Sequence, residues 1–80
     1  EQTGNHSEAA HEYLTAAGEA WYDFLEAQYL LDAGRVLVIA GDTTTALNTY
    51  QRVISDFGDT QQAVEARVRL GELEATKLPI

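Results

Sequence analysis

These 80 residues predict an all-α protein built from antiparallel helical hairpins. Three observations carry that expectation. Proline occurs once, at Pro79, so no earlier position denies a helix its backbone donor. No stretch alternates apolar and polar residues for long, which removes the period-two signature of a half-buried strand. Finally, "GDTTTALNTY" at 41–50 has a counterpart in "GNHSEAAHEY" at 4–13, an offset of 37. Gly4 then matches Gly41, Ala9 matches Ala46, Tyr13 matches Tyr50, and Gly34 matches Gly71. Identities at one offset in so short a chain mark an internal repeat, 4–40 and 41–77.

The first helix is expected over 5–18. Asn5 follows a glycine and has Glu8 three residues on, the spacing of a capping box over the first free backbone N–H groups. The second is expected over 22–40, with Asp23 and Glu26 as a further capping pair. The stop near Gly18 is weak in "AAGEAWYDFLEA", and one continuous helix from 5 to 40 is the alternative. The third, 42–56, starts from Asp42 as its cap. Ala46 and Tyr50 share a face, the small residue permitting close approach and the large one filling the space beside it. Leu47, Val53, Ile54 and Phe57 extend that apolar surface. "FGDTQQ" breaks the helix, and Asp59 with Gln62 is expected to open the fourth, 60–76. Gly34 and Gly71 fall mid-helix at about 1 kcal/mol each relative to alanine, which makes sense where another helix crosses closely. The aromatic group Trp21, Tyr22, Phe24 and Tyr29 is expected to be mostly core. Trp21 and Tyr22 are adjacent, so one member is left to cover a neighbouring repeat or a partner.

Charge and composition narrow the function. A chain this short buries only about 60% of the surface it exposes when unfolded. Residues 1–80 are expected to be one small domain or a fragment of a larger one, whose core must be efficient. There is no cysteine, which excludes disulfides, thiolate zinc sites and thiol catalysis. No apolar run approaches the roughly 20 residues that span a bilayer. Methionine is absent as well, so Glu1 is not expected to be a translation start and a longer parent is expected. The net charge is −8, unevenly spread. Residues 1–34 carry acids and no lysine or arginine, while Arg35, Arg52, Arg67, Arg69 and Lys77 all lie in the remainder. Nucleic acid is a poor partner for such a chain, because its affinity rests on bases that neutralise phosphates. A basic protein or peptide, or the basic back half of another copy, suits the acidic front better.

Gly34, Ala46 and Tyr50 stand at the spacing shared by the tetratricopeptide repeats, and Gly41–Asp42 matches their habitual turn. The chain resembles that family over nearly its whole length, in the helix order second, first, second, first. It departs from the pattern at Leu30 and Arg67, where the family has tryptophan, and at Leu37 and Glu74, where it has tyrosine. Gly58 replaces the closing proline, and the period is 37 rather than about 34. "YQRVISDFGDTQQAVEARVRLGEL" looks similar to repeats of bacterial envelope proteins, those of the Tol–Pal coordinator and outer-membrane assembly lipoprotein types. The resemblance implies a right-handed solenoid, a protein-interaction or assembly scaffold, and a periplasmic or cell-envelope setting. Its groove positions carry over to Gln28, Leu31 and Arg35 on the second helix, and to Glu65, Val68 and Glu72 on the fourth.

No catalytic, cofactor or metal site is expected. His6 and His11 are five apart and fall on different helical faces, and no zinc-binding spacing accompanies them. The carboxylate pairs Glu8–Glu12 and Asp23–Glu26 suit caps and solvated faces. Acid–base work would require a buried pocket to shift their pKa values. No serine has a base in a recognisable motif, and no glycine-rich loop follows a strand. An enzyme is therefore not expected. The competing expectation is a structural segment that homodimerises, with Val64, Val68, Leu70 and Leu73 left uncovered and residues 1–34 meeting Arg52, Arg67 and Arg69 of another copy.

Overall fold

The computed structural model describes residues 5–77, with side chains from 6 to 75. It has four helices: α1 (Asn5–Glu19), α2 (Asp23–Ala40), α3 (Thr43–Asp56) and α4 (Gln61–Lys77). Among the described residues there is no strand. Consecutive helices pack on one another and α2 also meets α4, whereas α1 reaches neither α3 nor α4. The resulting slab measures 41 × 34 × 14 Å, two helices thick at its thinnest.

Local chemistry explains most boundaries. α2 ends at Gly41, which takes the left-handed conformation at φ 87°. Its N–H donates to the Val38 carbonyl and that of Asp42 to the Leu37 carbonyl, the paired bonds that close a helix on a left-handed glycine. Asp42 then caps α3, its carboxylate accepting from the Thr45 N–H at 3.2 Å. The cap of α4 is Thr60 rather than Asp59. Its hydroxyl accepts from the Ala63 N–H at 3.1 Å and donates to the Phe57 carbonyl at 2.6 Å. The Asn5 side chain, expected as a cap, lies outside the described side chains.

Residues 20–22 separate α1 from α2, which removes the single 5–40 helix. The expected Asp23–Glu26 capping box does not form. The N-cap is Tyr22, extended and without a side-chain bond. Glu26 instead accepts from Arg52 of α3 at 3.3 Å.

The core lies along α2. Leu30, Tyr50 and Val53 are its largest fully buried side chains, and burying one of that size stabilises by about 1.5–3 kcal/mol. Much of the remainder is alanine: Ala10, Ala17, Ala27, Ala33, Ala46, Ala63 and Ala66 are all fully covered. These small residues bring the helices close, and Gly34 brings them closer. A Cβ added at Gly34 would sit 2.6 Å from Tyr50 Cε1. Gly71, its repeat counterpart, has nothing within 4 Å. The close crossing expected at both glycines exists only at the first.

The aromatic group is a further correction. Trp21 is 90%, Tyr22 64% and Phe24 60% exposed. Only Tyr29 packs against the core, its ring centroid 6.5 Å from that of Tyr13. The exposed three occupy the α1–α2 turn and the first turn of α2, at the end of the slab where no third helix passes.

Candidate protein-binding surface

Along the open seam between α2 and α4, side chains repeat at helical spacing: Gln28, Asp32 and Arg35 on one helix, and Glu65, Arg69 and Glu72 on the other. Two clefts lie on this seam. One, of about 370 Å³, is lined by Arg35, Val38 and Ile39 of α2, by Arg69, Glu72 and Leu73 of α4, and by Tyr50. The other, of about 350 Å³, is lined by Gln28, Gln61, Gln62, Val64 and Glu65. Gln62 bridges the two helices there, its amide donating to Gln28 Oε1 at 3.1 Å.

Ion pairs order the rim. Arg35 meets Asp32 at 3.1 Å, and Arg69 lies between Glu72 at 3.3 Å and Glu65 at 3.5 Å. Each is exposed and adds little to stability, so their effect is to hold side chains in place. Glu72, chiefly by its hydrogen bond, and Glu65 raise the Arg69 pKa above its usual value. At the base of the larger cleft, burial raises the Tyr50 pKa, and the nearby Arg69 and Arg35 charges oppose that shift.

Of the groove positions expected, Gln28 and Glu65 share the second cleft, and Arg35 and Glu72 share the first. Leu31 is a core residue, 6% exposed. It sits three positions before Gly34, on the face that packs toward α3, and so offers nothing to a ligand. Val68, the counterpart of Leu31, is 53% exposed and lines neither cleft. Sequence reasoning missed Arg69, Gln62 and the Tyr50 floor. Arg69 was recoverable, since it completes the 65, 69, 72 stripe.

The surface has no grouping of His, Asp and Glu suited to a metal ion among the described residues. Nor is any described helix long and apolar enough to cross a membrane. No protein-family model, curated protein or solved structure matches this chain.

Proposed function

We propose that this chain is a tetratricopeptide-like segment whose α2–α4 seam binds a protein or peptide, as an interaction or assembly scaffold rather than an enzyme. One observation carries the reading. Two helices 37 residues apart in register present matching stripes to one open seam, with polar groups held by ion pairs above an apolar floor. Such a surface offers hydrogen-bonding and charged groups of both signs at fixed spacing, which suits an extended peptide. Arg35, Arg52 and Arg69 are each engaged by a carboxylate of the same chain. That leaves little positive charge to neutralise phosphates.

Peptides selected from a random library against the folded chain test the reading. The expected result is that bound peptides shift the amide resonances of Gln28, Arg35, Gln62, Glu65 and Glu72. A Gln28→Ala/Arg35→Ala/Glu72→Ala variant should then lose binding and keep its helical circular dichroism. Shifts confined to residues 20–24 would move the site to the aromatic turn. Tight, salt-sensitive binding of DNA or RNA would overturn the reading.

A further inference from the structure

The two ends of the slab carry the two halves of an interface that already exists in its middle. α2 offers Ala27, Leu31 and Gly34 to its neighbours, and all are buried. The same stripe on α4, shifted by 37, is Val64, Val68 and Gly71, and all are exposed. α3 covers the first stripe with Ala46, Thr49, Tyr50 and Val53, again all buried. The same positions on α1 are Ala9, Glu12, Tyr13 and Ala16, of which Glu12 is exposed and the rest are only partly covered. Among the described residues, one end thus shows the receiving face without a covering helix, and the other shows the helix without a receiving face.

We propose that α4 of one copy receives α1 and α2 of a second copy, head to tail, in the register of the internal repeat. Tyr13 of the incoming copy then lies on Gly71 as Tyr50 lies on Gly34. The incoming end is partly open. Ala16, Leu25 and Tyr29 line a cleft of about 320 Å³, and they stand where Val53, Gln62 and Ala66 stand around the covered stripe. Trp21 and Tyr22, at the lip of that cleft, add aromatic surface where the second repeat has Gly58 and Asp59.

One charge pair fits this register, although it brings Arg67 to the place of a buried leucine. Arg67 stands where α2 has Leu30, which shares a buried cluster with Tyr50 and Val53. In the copied interface Arg67 therefore approaches the α1 segment that carries Glu12. Neither Arg67 nor Glu12 has an ion pair among the described residues. Arg52 and Arg69, by contrast, are engaged within their own chain. Because the two faces differ, the contact is heterologous, and in the register of the repeat copies add one after another. Glu74 stands where α2 has the buried Leu37. The copied contact is therefore less apolar than its parent and its association salt-dependent. Val64 belongs both to this stripe and to the second cleft of the seam, so the contact is tested with no peptide present.

Sedimentation velocity over a concentration series, at low and high salt, tests the proposal. The expected result is a series of species that grows with concentration and changes with salt. Gly71→Leu is the discriminating variant, since its side chain enters open space in the single copy. It should keep the helical signal and weaken association by about tenfold or more, as overpacking of the copied crossing. Glu12→Arg should also weaken association, and adding Arg67→Glu to the same chain should restore it. Mixing Gly71→Leu with Glu12→Arg should yield a one-to-one dimer that grows no further, since only one pair of faces is intact. A monomer at every concentration would overturn the proposal. So would a closed dimer, or a Gly71→Leu chain that associates like the parent.

Discussion

The α1–α2 turn and the α3–α4 turn occupy the same place in the 37-residue repeat, and they are held by different means. The second is chemically self-sufficient. Phe57 folds onto the core, Gly58 and Asp59 make the bend, and the Thr60 hydroxyl bonds to both sides of it. The first has Ala20, Trp21 and Tyr22 at those positions, with no side-chain cap on α2. Its geometry is held by the packing of α1 on α2. Its aromatic side chains contribute little to the fold, so they remain accessible for contacts with another molecule.

The repeat-equivalent glycines give the largest way to break this comparison. Gly34→Leu should cost about 3 kcal/mol, because its side chain meets the Tyr50 ring. Gly71→Leu should gain about 0.5–1 kcal/mol from helix propensity alone. Urea denaturation at low protein concentration reads both, and equal effects would erase the distinction between the covered and open crossings. The same contact responds to base. Burial raises the Tyr50 pKa above its ordinary 10.0, so the folded state holds that proton longer than the unfolded one. Its contribution to stability is complete below pH 10 and falls as pH rises through the folded value. Denaturation midpoints should decline across that range, and Tyr50→Phe should reduce the decline.

Smaller effects sharpen the contrast between the turns. Thr60→Val should cost about 1 kcal/mol through the lost cap. Tyr22→Asp, which gives α2 the cap it lacks, should gain about 0.5 kcal/mol. Trp21→Ser should change stability by less than about 0.5 kcal/mol, since so exposed a side chain loses little. A loss of several kcal/mol in that last variant would mean that Trp21 is part of the core.

The boundaries around Gly41–Asp42 and Phe57–Thr60 were legible to within a residue or two because glycines and capping side chains mark them locally. The break at 20–22 carries no such mark and stood open against a single 5–40 helix. Thr60 was misread because Asp59 beside it is an equally good capping residue, and only the path of the chain selects between them. Trp21, Tyr22, Phe24 and Tyr29 were expected to be mostly core on their hydrophobicity, with one member left outside. Nothing local to them reveals that no third helix passes over that end. Leu31 was assigned to the groove by carrying over positions from the repeats that the chain resembles. Its burial depends on the angle at which α3 crosses, which is set by Gly34 and Tyr50 together.

The alanine-rich interior has a calorimetric consequence. An ordinary chain of this length absorbs about 56 kcal/mol at its melting midpoint. Methyl groups expose little apolar area when they separate, so both the enthalpy and the heat-capacity step of this chain should fall below the ordinary values. The melt is then broad, and a modest binding free energy moves it by several degrees. If copies dock end to end, the melting temperature becomes a function of how much of the protein is present.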